Sequence, residues 1–107
     1  MSGITLLQCQ QRFSLMVPRL ILQAAALGYS VTLGDAYRDP RALYGHPRSL
    51  HRFRLAIDLN LFREDGTYIT TNEGHDKLHE WWTGIGGAPM IPDDPNHYSL
   101  AWQGGVI

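Results

Sequence analysis

The sequence predicts a small α+β domain with a central antiparallel sheet flanked by helices, and three stretches predict it. Residues 8–27 set Phe13, Met16, Leu20, Ala24 and Leu27 at helical spacing, which makes a core-facing stripe. Residues 56–62 alternate instead, with Ile57, Leu59 and Leu61 on one face and Ala56, Asp58 and Asn60 on the other, the period of a half-buried strand. Asp65-Gly66 stands between that strand and residues 67–69, and Asp-Gly suits the tight turns that match strand twist. A length of 107 residues with 44% hydrophobic leaves room for one core, so residues 1–107 read as a single domain.

The remaining elements follow in chain order. Pro18 interrupts the first helical pattern and predicts two helical pieces or a kink, and Gly28 is a natural stop. Residues 30–33 read as a short strand, and Asp39-Pro40 as the cap and first residue of a short helix. Arg38 then stands at a strand-to-helix corner facing a cleft, with pairing to a neighbouring acid as its ordinary alternative. Thr71 or Asn72 caps a helix over 73–82, a loop rich in Gly and Pro follows, and residues 98–102 return as a last strand. Trp81, Trp82 and Trp102 have the faces of sugar-stacking platforms, but large aromatics most often supply core area. Adjacent helix positions point apart, so one of Trp81 and Trp82 belongs to the core and the other borders a cleft.

Charge and composition exclude several classes. A net charge of −1 offers no electrostatic case for nucleic acid or an anionic membrane, and the basic run over 48–54 reads as the rim of a site. The single cysteine, Cys9, excludes an internal disulfide framework and reads as a small buried hydrophobe. Neither a secretory signal nor an apolar run of the roughly 20 residues needed to span a bilayer is visible. The expectation is a monomer without membrane insertion.

Two short stretches carry the chemistry. The first is Ser49-Leu50-His51-Arg52-Phe53-Arg54-Leu55-Ala56-Ile57-Asp58, and the second is Asp94-Pro95-Asn96-His97. Two imidazoles and a carboxylate are a catalytic zinc set, because three protein ligands leave a fourth position open for water. Asp94-Pro95-Asn96-His97 has the residues a type I turn favours, which brings its ends within about 7 Å. Asp58 points from a strand. His51 lies seven residues earlier, an odd separation that would put it on the opposite face of an unbroken strand. A turn must therefore intervene around residues 52–54. Taken singly, each of these side chains is more often a surface or core residue than a ligand.

Together they resemble a known family. Ser49 to Asp58 looks like the S-x-H-x(6)-D signature of the zinc D-Ala-D-Ala carboxypeptidases and the phage L-alanyl-D-glutamate endopeptidases. Asp94-x-x-His97 resembles that family's second signature, an acid three residues before the last ligand. The likeness runs from the N-terminal helix ending at Gly28-Tyr29, through Tyr37-Arg38, to His97-Tyr98. It implies a fold of the hedgehog and DD-peptidase type, with His51, Asp58 and His97 as ligands of Zn²⁺. It further implies Asp94 as catalytic base and Arg38 as the residue that holds and polarises the substrate carbonyl. Aspartate as the base fits the endopeptidase branch, since the carboxypeptidases commonly carry Glu. Tyr98-Ser99 departs from the aromatic-acid pair of many relatives, which bears on substrate contacts and not on the metal.

The resemblance implies an endolysin-like hydrolase acting on the peptidoglycan stem peptide at the L-Ala-D-Glu bond. Such a protein is made in the host cytoplasm without a signal peptide and reaches the periplasm or cell wall after release by a holin. A D-Ala-D-Ala carboxypeptidase is the rival enzyme. A silent zinc-containing domain that binds cell wall is the rival of another class, and the retained Asp94 argues against it.

His75-Asp76-Lys77-Leu78-His79 imitates the H-E-x-x-H helix of other zinc peptidases. Asp76 is one methylene shorter than the Glu used there, and no third ligand follows at a familiar spacing. His75 and His79 therefore read as ordinary helix residues, with His46 on a loop.

Overall fold

Thr5 starts the first helix: its hydroxyl accepts from the Gln8 N–H, and the Gln8 side chain accepts from the Thr5 N–H, closing a capping box. The computed structural model describes residues 5–39, 41 and 49–102. Within them run helix α1 (Leu6–Ala26), strand β1 (Ser30–Leu33), a 3-10 turn (Leu50–Phe53) and strand β2 (Ala56–Phe62). Strand β3 (Tyr68–Ile69), helix α2 (Asn72–Gly84) and strand β4 (His97–Ser99) complete the order. Among the described residues this is an α+β arrangement of two helices and a four-stranded antiparallel sheet.

Strand β2 is the centre of the sheet. Its C-terminal half pairs with β1 on one edge, from Ser30 opposite Phe62 to Leu33 opposite Leu59, and with β3 on the other. Its N-terminal half pairs with β4, which sets Ile57 opposite Tyr98 and Asp58 opposite His97. Residues directly opposite share a face. Ile57, Leu59, Leu61 and Tyr98 thus turn to the core, and Asp58 and His97 turn together to the other side.

The helices cover the core face. From α1 the buried side chains are Cys9, Phe13, Met16, Leu20 and Ala24, and from α2 they are His75, Leu78, His79 and Trp82. Trp82 is wholly buried, meeting Phe13 and Tyr98 edge to face. Trp81 is only partly buried and lies beneath the Arg19 guanidinium instead of bordering the site.

Several expectations shift. One helix runs through Pro18, which is exposed, so the Ser14 carbonyl deprived of its partner faces water. Leu27 caps that helix and stands exposed, while Cys9 joins the buried stripe. Strand β4 begins at His97 and ends at Ser99, earlier and shorter than the expected strand over 98–102. Thr71, not Asn72, caps α2, its hydroxyl accepting from the Gly74 N–H. His46 and the short helix expected after Asp39-Pro40 lie outside the described residues. Among the described residues no helix is long and apolar enough to cross a membrane.

Candidate metal centre

The parity problem between His51 and Asp58 is resolved by local backbone. The Ser49 hydroxyl accepts from the His51 N–H and starts the 3-10 turn, and Arg54 ends it in the left-handed region at φ 58°. A single residue there redirects the chain enough for Leu55 to lead into β2 with Asp58 on the same side as the His51 ring. Leu50 and Leu55 anchor the excursion as fully buried side chains.

Asp58 is set by the opposite edge of β2. The Gly34 N–H donates to the Asp58 carbonyl and the Asp58 N–H donates to the Asp35 carbonyl, both at 2.8 Å, so two residues face one as in a β-bulge. A Cβ at Gly34 would stand 3.0 Å from the Asp58 Cβ, which explains a residue without one at this approach. His97 is held across the sheet by its register with Asp58, and the Asn96 carbonyl accepts from the Leu59 N–H at 2.8 Å.

Three lone-pair donors converge from these elements. His51 Nε2 is 3.2 Å from Asp58 Oδ1, His97 Nδ1 is 3.2 Å from His51 Nε2, and His97 Nδ1 is 3.9 Å from Asp58 Oδ1. Two ligands each about 2.1 Å from a tetrahedral zinc ion would be about 3.4 Å apart, so the spacing fits such an ion. The three side chains form a group that could hold a metal ion. His51 Nδ1 lies 2.9 Å from the Ala36 carbonyl, to which it donates; that bond leaves Nε2 bare and fixes the ring.

Electrostatics follow from this crowding. Burial, with the neighbouring His51 adding to it, lowers the His97 pKa to about 4. Burial also opposes charge on His51, but the Asp58 carboxylate and the Ala36 carbonyl outweigh it and raise its pKa above the usual histidine value. Of the two imidazoles, His51 is therefore the one that takes a proton more readily. Any metal must compete with that proton.

Asp94 and Arg38 sit around this group. The His97 N–H donates to the Asp94 carbonyl at 3.2 Å, closing the turn that carries both residues. Burial raises the Asp94 pKa, the Asp58 carboxylate raises it further, and His51 and Arg38 work against the shift. Its carboxyl thus lies in the field of the three-residue group. Asp93 takes a left-handed conformation, φ 63°, and its N–H donates to the Asn72 side chain. The Arg38 N–H donates to the His51 carbonyl at 3.0 Å, tying the two residues together. Only a tenth of the Arg38 side chain is exposed, less than a corner position implies, and Nη2 lies 3.8 Å from Asp35.

The five residues singled out from the sequence therefore share one neighbourhood. The sequence reading assigned no role to Gly34, the Ala36 carbonyl or the Ser49 cap. Ser49 belongs to the first signature and was detectable there; a backbone carbonyl leaves no trace in residue identity. His75 and His79 stand apart from the three ligand candidates, buried on the core face. No protein-family model matches the chain, and no curated protein matches it.

Proposed function

We propose that this chain is a zinc peptidase that hydrolyses the L-Ala-D-Glu bond in the stem peptide of peptidoglycan. The observation that carries the reading is the convergence of His51, Asp58 and His97 with three contacts of 3.2 to 3.9 Å, beside an acid whose pKa is raised. Two imidazoles and one carboxylate suit zinc and leave a position open. When bound, zinc would lower the pKa of its water to about 7 and polarise the scissile carbonyl.

The chain's own residues supply the rest. Asp94 accepts the proton of the attacking water as its oxygen bonds to the carbonyl carbon, then delivers that proton to the leaving amine as the C–N bond breaks. Arg38 donates to the carbonyl oxygen as negative charge develops there. The Ala36 carbonyl holds the His51 ring and the Ser49 cap holds its backbone. An endopeptidase needs a cleft open on both sides, and between the hairpin and the C-terminal turn there is only α2 and its loop, with no insertion to close one end. In this reading the chain is a monomeric phage endolysin, made in the host cytoplasm and released to the wall by a separate membrane protein.

Digestion of intact peptidoglycan followed by mass spectrometry of the muropeptides tests the reading. The expected products carry new C-terminal L-Ala and new N-terminal D-Glu. Release of free D-Ala alone would establish the carboxypeptidase instead, and binding to the wall without any product would establish the silent domain.

A further inference from the structure

The histidines of α2 are not passive core. His75, His79 and Tyr98 are all buried, and Tyr98 adjoins His97 in β4. The His79 ring stacks on the Tyr98 ring at 3.9 Å with planes 8° apart, and His75 Nδ1 shares a 2.8 Å hydrogen bond with the Tyr98 hydroxyl. His79 Nε2 also donates to the Pro95 carbonyl at 2.7 Å. A carbonyl can only accept, so this contact specifies the tautomer with the proton on Nε2 and a bare Nδ1. His79 Nδ1 is indeed buried and without a partner among the described residues. Pro95 follows Asp94 and precedes His97 by two. One ring therefore grips the acid-and-ligand turn from inside and the residue after it at the same time.

We infer that His79 is a positioning residue: through the Pro95 carbonyl and the Tyr98 ring it fixes the turn that presents Asp94 and His97 to the metal group. The inference rests on the metal reading of that site. The turn's own closure, His97 N–H to Asp94 carbonyl, is at 3.2 Å, longer than the 2.7 Å bond from His79. Strand β2 ties the turn from one side, through the Leu59 N–H to the Asn96 carbonyl at 2.8 Å and the Asn96 side-chain amide to Asn60 at 3.0 Å, and His79 adds the constraint from the core side that keeps an imidazole and a carboxylate in register. Partners that orient metal ligands typically change metal affinity or activity by about 10- to 100-fold when removed.

Two substitutions divide the contacts. His79→Phe keeps an aromatic ring against Tyr98 and removes the donor; His79→Gln keeps a donor that can reach the Pro95 carbonyl and removes the ring. Zn²⁺ affinity by chelator competition is expected to fall about 10-fold or more for His79→Phe, with kcat reduced and KM held. His79→Gln is expected to recover most of the affinity. Equal affinities for His79→Phe and the unaltered protein, with both folded by thermal melting, would overturn the inference.

A second measurement needs no metal. Long-range ¹H–¹⁵N NMR of the metal-free protein above pH 7 should find His79 with its proton on Nε2 and protected from exchange. A proton on Nδ1 would overturn the inference even if zinc binding and activity were as proposed. Conversely, an Nε2 proton in a protein that binds no zinc would leave the clamp standing and remove only the metal reading.

Discussion

Two pairs of histidines lie on opposite faces of one sheet, and their neighbours give them opposite characters. His51 and His97 meet around the Asp58 carboxylate, so three lone pairs point at one place. His75 and His79 meet around the Tyr98 ring, one bonded to its hydroxyl and the other stacked on its face. All four rings are buried. Burial alone therefore does not single out a group that could hold a metal ion; the pair that could hold one also has a carboxylate between its rings. The i, i+4 spacing of the α2 pair is the more familiar motif, yet the 3-10 turn, β2 and β4 together carry the group that could hold a metal ion.

The sharpest way to break this comparison is to remove ligands from one pair and not the other. Removing a partner that only orients a metal ligand costs about 10- to 100-fold in affinity, so loss of one of the three ligands of the proposed zinc site should cost more than ~100-fold. His51→Ala, Asp58→Ala and His97→Ala are each expected to lose the ion by metal analysis at limiting zinc. His75→Gln should retain one ion per chain. If the ligand variants retained full metal while His75→Gln lost it, the roles of the two faces would be exchanged.

A smaller effect separates chemistry from metal holding. Asp94→Ala is expected to retain zinc and lose about 10²- to 10⁴-fold in rate, the scale for a positioned acid-base group. Asp93→Ala should remain close to unaltered, because the Asp93 N–H, not its carboxylate, makes the contact with Asn72. Steady-state assays of both variants on the same peptidoglycan check this; an inactive Asp93→Ala with an active Asp94→Ala would transfer the base to Asp93.

The smallest effect sharpens the comparison from the α2 side. Burial, helped by the nearby His79, depresses the His75 pKa to about 4. Below the unfolded value of about 6.5 the unfolded chain takes up a proton that folded His75 refuses, so stability falls as pH drops from 6.5 toward 4. Above that window His75 contributes no pH dependence. Between pH 7.5 and 5.0 the loss assigned to His75 should be about 2 kcal/mol. Urea titrations of metal-free protein should show a correspondingly flatter decline for His75→Gln, and parallel declines would count against a neutral buried His75.

Much of this was legible in the residues, for reasons that differ by element. Strand β2 was legible because its alternation is strict, and Asp65-Gly66 because its turn chemistry is local: the Asp65 carboxylate accepts from the Thr67 N–H two residues on. The demand for a break between His51 and Asp58 followed from parity alone, and Arg54 meets it. The burial of His75 and His79 was not legible, because it depends on Tyr98 arriving from 19 residues beyond His79. Pro18 misled because its cost depends on whether the freed carbonyl faces water. The bulge at Gly34 and Asp35 left no signal beyond a glycine, since it is made of backbone hydrogen bonds.

The left-handed Arg54 also changes what the six residues between His51 and Asp58 mean. Arg52 and Phe53 belong to the 3-10 turn, Arg54 caps it, Leu55 links it to the strand, and Ala56 and Ile57 are strand, so Arg54 switches the chain from one geometry to the other. Their number is therefore a specified quantity, as much as the identity of the ligands at either end. Losing or gaining one residue after Arg54 would turn Asp58 toward the hydrophobic core and Ile57 or Leu59 toward His51. Chain length between His51 and Asp58 carries information that a comparison of residue types would miss.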